Sequence, residues 1–432
     1  MTSTVTSYFT RPLALLLWAT LAASVMMVLA SPAHAAAYTV NSTADTTDSD
    51  GCTTASGGCT LREAINAANT SSGVADTINF DEQSIPGQQT ITLGSQLTIT
   101  DSAGLIIDGG SANITVSGNN AVRVFDVVLS GAKLTLTNIT VANGRLNFSA
   151  GAGIFNNGTL TVNNSTLSGN SAPSGGGIYN QGGTLTVSNS TLSGNSATQS
   201  GGGLGMNAGT VSLKNTIVAN SPSGGNCAGT ITNGGYNLDS GTSCGFGTAN
   251  NSLSGEEPLL GPLADNGGPT WTHALLEGSP AIDKGVAVAG ITTDQRGVAR
   301  PQGPAPDIGS FEFVDTIKPT VTGLQPAPTA TDVSIGANVV ATFSEKMTKS
   351  TLTNPANFKL YKRTATGTYT RITNVTLTTN VAGTKATLNP YGDSATRLAR
   401  NTRYKAEVTT GVKDLSGNAM AANKVWTFKT VS

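Results

Sequence analysis

Residues 134–141 read Leu-Thr-Leu-Thr-Asn-Ile-Thr-Val. The pattern returns as Leu-Thr-Val-Asn-Asn-Ser-Thr-Leu at 160–167, Leu-Thr-Val-Ser-Asn-Ser-Thr-Leu at 185–192 and Val-Ser-Leu-Lys-Asn-Thr-Ile-Val at 211–218. Successive copies start 26, 25 and 26 residues apart. A fixed period in this range marks a stacked repeat, in which each unit buries its apolar face against its neighbours. Inside a copy the apolar residues alternate with Thr, Asn, Ser or Lys, the period of a strand with one inward face. No helix-length pattern separates the copies; Gly151-Ala-Gly153, Gly175-Gly-Gly177 and Gly201-Gly-Gly203 do. Strands repeated without crossover helices are most economically arranged as a right-handed parallel β-helix, each coil lying on the previous one.

In such a coil Leu134, Leu160, Leu185 and Val211 form one inward stack, and Leu136, Val162, Val187 and Leu213 the next. Ile154, Ile178 and Leu204 indicate a second strand per coil. The fifth motif position, Asn138, Asn164, Asn189 and Asn215, shares the inward phase and predicts a ladder of side-chain amides along the axis. Asn170, Asn195 and Asn220 predict another ladder at a turn. Weaker copies run back to Ile78 and give roughly six coils, a rod about 30 Å long at the usual strand spacing.

The chain has 432 residues, 52 of them glycine, and 5% aromatics, which fits a turn-rich all-β protein with an aliphatic core. The N-terminus carries Arg11, an apolar run over 13–30 and Ala33-His-Ala35, the form of a cleaved secretory signal. No later run is long enough to span a bilayer. Export makes disulfides the expectation for the two local pairs Cys52/Cys59 and Cys227/Cys244. The net charge of −1 conceals an asymmetry: residues 1–313 hold 9 Lys+Arg and 19 Asp+Glu (−10), residues 314–432 hold 15 and 6 (+9). That jump marks a domain boundary and a basic C-terminal module suited to an anionic polymer or envelope.

Cys59-Thr-Leu-Arg-Glu-Ala-Ile65 resembles the CSLREAI motif that precedes β-helical repeats in bacterial surface proteins, with Thr60 for Ser. Its apolar spacing predicts a capping helix in which Arg62 and Glu63 ion-pair. The coils over 71–250 resemble the pectin-lyase-like superfamily in period and pattern. The segments Pro258–Thr270, Gly278–Asp283, Asp294-Gln-Arg-Gly297 and Asp307–Glu312 resemble the choice-of-anchor Q segment of bacterial surface proteins, and predict a C-terminal cap in which His273 packs. Phe343–Met347, Asn401–Tyr404, Gly411–Asn418 and Trp426–Phe428 resemble the S-layer-type bacterial Ig-like domain, which implies a β-sandwich acting as a spacer or adhesion module. The expected organisation is therefore all-β: signal peptide 1–35, N-terminal cap 36–70, parallel β-helix 71–250, C-terminal cap 251–313 and Ig-like domain 314–432.

Many β-helices cleave polysaccharides, with chemistry that needs paired carboxylates, or a base with a cation. Between Asp126 and Asp239 there is no Asp, Glu or His, and the only cations are Lys133, Arg145 and Lys214. The early coils hold Asp101, Asp108, Arg123 and Asp126, the candidates for a lyase or hydrolase site. Against that reading, we expect no catalysis and no cofactor. Calcium is the one ion with a candidate site, at Asp48 and Asp50. The outward row Thr161, Thr186 and Ser212 is the expected binding face. It would meet a cell-envelope or extracellular polysaccharide, or a host or neighbouring surface, from a secreted or cell-surface adhesin. No nucleic-acid partner is expected, and the alternative to an adhesin is a ligand-free envelope spacer.

Overall fold

The computed structural model describes residues 1–4, 35–47, 52, 58–71, 73–87, 89–112, 114–392 and 397–432. Most of the expected export signal, and both Asp48 and Asp50, lie outside the described residues. The repeats build a parallel β-solenoid with three main strands per coil, one more than the periodicity alone indicates, and in two central coils a short fourth, where Ser171–Ser174 pairs in parallel with Ser196–Ser200. A first face of 8 strands runs from Ala37–Val40 to Thr232–Asn233, and includes Lys133–Thr137, Thr159–Asn163, Thr184–Ser188 and Thr210–Lys214. A second face, also of 8, includes Thr140–Ala142, Thr166–Ser168, Thr191–Ser193 and Ile217–Ala219. A third face of 6 includes Phe125–Val127, Ile154–Asn156, Ile178–Asn180 and Leu204–Met206.

Register across the first face pairs Leu134 with Leu160, Leu160 with Leu185 and Leu185 with Val211. All four are buried to within 1% of complete. Each such side chain contributes roughly 1.5–3 kcal/mol by leaving water. Val141, Leu167, Leu192 and Val218, the eighth motif residues, point inward from the second face, and Ile154, Ile178 and Leu204 from the third.

The third strand exists because the motif asparagine is a corner. Asn138, Asn164, Asn189 and Asn215 have φ of 53°, 48°, 48° and 51°. This left-handed region suits Asn better than any side chain except the absent one of Gly. The chain therefore turns at the fifth position instead of continuing the inward phase, and the last three motif residues pass onto the second face. The expected amide ladder forms only in part: Asn164 Nδ2 donates to Asn138 Oδ1 at 2.7 Å and Asn138 Nδ2 to Asp108 Oδ1 at 2.9 Å, but Asn189 does not continue it, and the Oδ1 atoms of Asn164 and Asn189 are buried without a hydrogen-bond partner. Asn215 instead exchanges bonds with the backbone of Val286. At the second corner Asn170 Nδ2 donates to Asn195 Oδ1 at 2.9 Å, while Asn220, expected in the same ladder, reaches Ser193 Oγ instead; at the third Asn156 Nδ2 donates to Asn180 Oδ1 at 2.6 Å.

Both ends of the rod are closed. At the N-terminal end, helix Leu61–Thr70 buries Leu61, Ala64, Ile65 and Ala68. Thr60 and Glu63 form a capping box. Arg62 makes a two-pronged pair with Asp45 (2.8 and 3.0 Å) and bonds the carbonyls of Ser95 and Gln96. The Cys52–Cys59 disulfide ties the preceding loop to this helix. At the other end, the Cys227–Cys244 disulfide holds a loop that drives Phe246 into the solenoid core.

That closure corrects the expected role of residues 251–313. After Leu253–Ser254, the last strand of the second face, they lie along that face as a flank and do not cap the end. The outward side of the face carries Thr140, Thr166, Thr191, Ile217 and Ala219, small or apolar groups that permit close approach, and every one is buried. Ile217, Ala219 and Leu238 form a second small core with Leu275, Ala281, Ile308 and Phe311.

Two four-stranded antiparallel sheets follow. One orders Val321–Gln325, Val339–Phe343, Lys385–Pro390 and Val375–Thr379; the other orders Tyr369–Ile372, Phe358–Arg363, Arg403–Val408 and Lys424–Lys429. They enclose a separate core in which Trp426 meets Phe358 and Tyr404 stacks on Phe428 at 5.5 Å.

If the asparagine corners act first through backbone conformation, Asn164→Gly and Asn164→Ala will differ although both lose the same amide. We expect the alanine variant to be less stable by about 1 kcal/mol in denaturant unfolding. Equal stabilities would assign the position to the ladder alone.

Candidate functional site

The flank leaves two of the solenoid's three main faces uncovered. On the first, an outward row pairs Thr135 with Thr161, Thr186, Ser212 and Thr232 in successive strands. A parallel row pairs Lys133 with Thr159, Thr184 and Thr210. Rows of hydroxyls thus repeat at about 4.8 Å between strands and about 6.6 Å along them. Thr186 is exposed, while Thr161 and Ser212 are half-buried beside their neighbours. Most of these hydroxyls are free to meet a partner; one weak mutual bond links Thr210 to Thr184 at 3.4 Å.

The third face carries groups that composition alone did not bring forward. Its outward column runs Asp126, Phe155, Tyr179, Gly205. The rings of Phe155 and Tyr179 stack with centroids 6.1 Å apart. Gly205 makes room for the tyrosine, since a Cβ there would stand 3.0 Å from the ring. The Arg123 guanidinium lies 4.9 Å over Phe155, pairs with Asp126 at 3.1 Å and bonds Gln96 Oε1 at 3.0 Å. Gln96 in turn donates to Asp126 Oδ2 at 2.8 Å, and Asp126 Oδ1 is buried with no partner. The repeated Gly-Ile-Phe-Asn and Gly-Ile-Tyr-Asn at 153–156 and 177–180 was the available signal for this column.

The early-coil acids do not gather. Asp101 closes a turn, accepting from the Ala103 and Gly104 amides at 2.8 and 3.2 Å. Asp108 accepts from Gly110 N and terminates the Asn138–Asn164 ladder. Only Asp126 and Arg123 share a cluster, and the Arg123 cation neutralises the Asp126 carboxylate.

The second face is closed by the flank through polar contacts. His273 Nε2 bonds Ser168 Oγ at 2.9 Å and Nδ1 bonds the Gly261 carbonyl at 2.8 Å. Burial holds the imidazole below its usual pKa. Gln295 accepts from Thr166 at 2.6 Å and donates to Thr140 and Thr270. Ser310 bonds both Thr166 and Thr191. Behind this row, Asp294 pairs with Arg296, whose guanidinium lies 3.5 Å over Phe311, and Glu312 pairs with Arg300 at 2.9 Å. Asp307 accepts from the amides of Asp283 and Phe313, yet burial, reinforced by the Glu312 charge, pushes its pKa up to about 7.

The fold is thus a capped parallel β-solenoid joined to a two-sheet sandwich. Residues 315–430 match the family of bacterial Ig-like domains. Among solved structures, the chain resembles surface layer protein SbsC, domains 1–6, with 20% identity, a TM-score of 0.21 and coverage of 27% of this chain and 14% of that one. It also resembles the N-terminal part of the bacterial S-layer protein SbsC, with 21% identity, a TM-score of 0.20 and coverage of 27% and 24%. The chain therefore spans 14% and 24% of those two chains. No curated protein matches it. No helix among the described residues is long and apolar enough to cross a membrane.

The Asp307 pKa has a consequence for stability. Its ordinary value is 3.8 and its folded value about 7, so between them the folded flank keeps a proton that the unfolded chain has lost. The associated stability is complete below about pH 4 and is lost as pH rises through about 7. The upward shifts of Glu312 and Asp283, caused first by burial, act in the same direction. The denaturant midpoint should therefore fall between pH 5 and pH 8, and Asp307→Asn should make that fall shallower. An unchanged slope in the variant would remove Asp307 as its source.

Proposed function

We propose that this is a secreted or cell-surface protein of adhesive or structural, non-enzymatic function, whose solenoid presents its hydroxyl-rich first face to a polysaccharide or a partner surface. The observation that carries this reading is the in-register row Thr161, Thr186 and Ser212 on a face the flank leaves uncovered. A flat array of hydroxyls on a rigid sheet makes many weak, repeated hydrogen bonds, and a repetitive ligand turns these into avidity. Two disulfides fit an oxidising, extracytoplasmic setting. The Ig-like module supplies a spacer with its own basic surface, where Lys362, Arg363, Arg403 and Lys429 line one cleft. That cleft suits an anionic envelope polymer. The resemblances to the CSLREAI and choice-of-anchor Q surface proteins point to the same class.

A second reading has one specific observation behind it. The Phe155–Tyr179 column beside Arg123 and Asp126 has the form of a saccharide-stacking surface with an acid and a cation next to it, as a polysaccharide lyase or hydrolase would need.

A panel of acidic and neutral polysaccharides, with and without calcium, separates the two. The adhesive reading expects retention of the protein on at least one immobilised polysaccharide or cell-envelope preparation, with no release of reducing ends or unsaturated sugars. It also expects Thr186→Arg, which plants a bulky cation in the row, to weaken retention about tenfold, some 1.4 kcal/mol. Product release that disappears in Asp126→Asn would establish the enzyme instead. Retention indifferent to Thr186→Arg would move binding off the first face.

A further inference from the structure

Three carboxylates far apart in sequence meet in the Ig-like module. Asp315, Glu345 and Asp414 each place one carboxylate oxygen within 4.8 Å of the other two. Asp414 is 1% exposed. Its Oδ1 accepts from the Asn418 amide at 2.8 Å, while its Oδ2 is buried without any partner. Leaving a buried carboxylate oxygen unmatched costs several kcal/mol unless a cation or donor meets it. None of the five ion pairs among the described residues involves these three acids. Lys284 and Lys346 line the open cleft beside them, with Glu277 and Asp283, but neither lysine pairs with the cluster. The Glu345 carboxyl is held above its ordinary pKa by burial first and then by the charges of Asp414 and Asp315.

We propose that Asp315, Glu345 and Asp414 form a calcium site at the entrance to the Ig-like module. The donors are all hard oxygens, with no His or Cys among them, which excludes the ligand sets that zinc and softer metals prefer. Three carboxylates on an open cleft leave room for several waters, matching the 6–8 oxygen ligands and irregular geometry that calcium accepts better than magnesium. All three acids lie inside the matched residues 315–430, so the site belongs to the module itself. Its placement also gives it a task. Asp315 is at the start of the module, and its carbonyl accepts from Asn418 Nδ2 at 2.9 Å. Asp414 and Asn418 bracket a turn closed by the Asp414 amide on the Asn418 carbonyl at 3.0 Å. A cation bridging Asp315 to Asp414 would fasten the incoming chain to that turn, and Glu345 would bring in the edge that follows strand Val339–Phe343. Bound calcium converts three mutually repelling charges into a clamp on the chain entering from the flank.

The test is calorimetric titration of the full chain with calcium chloride, paired with thermal unfolding at several calcium concentrations. We expect one ion to bind in the range of extracellular modules, about 0.1–1 mM, and the unfolding midpoint of the Ig-like module to rise with calcium. Glu345→Gln, at a partly exposed position, and Asp414→Asn, which keeps the acceptor for Asn418, should each weaken binding about tenfold or more and abolish the shift. Should Asp414→Asn fail to fold, Glu345→Gln decides alone. Absence of binding at millimolar calcium, or binding and a shift that survive in Glu345→Gln, would overturn the proposal.

Discussion

Vertical register governs this molecule. The core of a solenoid runs along its axis, so each coil must set an apolar group at the same height as the coil beneath it. Leu134, Leu160, Leu185 and Val211 meet that demand in one column, and Leu136, Val162, Val187 and Leu213 in the next. A slip of one residue would turn a whole strand inside out. The corners prevent it. An asparagine in the left-handed region ends each of the four motif strands of the first face at the same residue, and its amide, where it reaches the next coil, ties the two corners together.

From that register the functional surface follows by elimination. The three main strands of a coil give three principal outward faces. The flank covers one, and it does so with side chains that satisfy the Thr and Ser hydroxyls in pairs, such as Gln295 to Thr166 and His273 to Ser168. The same kinds of hydroxyl on the first face face solvent. Identical chemistry thus serves structure on one side of the rod and is available for contact on another. The end loops matter equally, because an unclosed parallel stack would offer strand edges for association. Helix Leu61–Thr70 and the Phe246 loop remove that hazard.

The solenoid was legible in the sequence because its constraint repeats. The same residue class must recur at each height, so four copies expose both the inward stacks and the period. The triangular cross-section was not, because the asparagine resembles another inward position until its backbone conformation is known. Residues 251–313 stood apart in composition, yet their placement could not be read. They dock through one small apolar core and through single polar contacts across long separations, Thr166 to Gln295 being 129 residues apart, and such contacts leave no periodic trace. In the sandwich, the segments that resemble the Ig-like family, such as Gly411–Asn418 and Trp426–Phe428, were visible; Val375–Thr379, rich in threonine and only half-buried, was not. The site candidates divided similarly. Arg123 and Asp126, three apart, come together, whereas Asp101 and Asp108 are taken up by turns and the ladder. The Phe155–Tyr179 column needed the pairing of third-face strands to become apparent.

A role for the first face requires that the second be closed while the first is open, and cysteine labelling reads this directly. Thr166→Cys on the second face and Thr186→Cys on the first are compared for reaction with a small maleimide in the folded, disulfide-intact chain. Thr166 is fully buried beneath Gln295 and Ser310, and Thr186 stands exposed. The predicted result is slow labelling at 166, limited by opening of the flank and about 100-fold slower than at 186. Equal rates at the two positions would contradict it, and with it the choice of the first face as the surface that meets a partner.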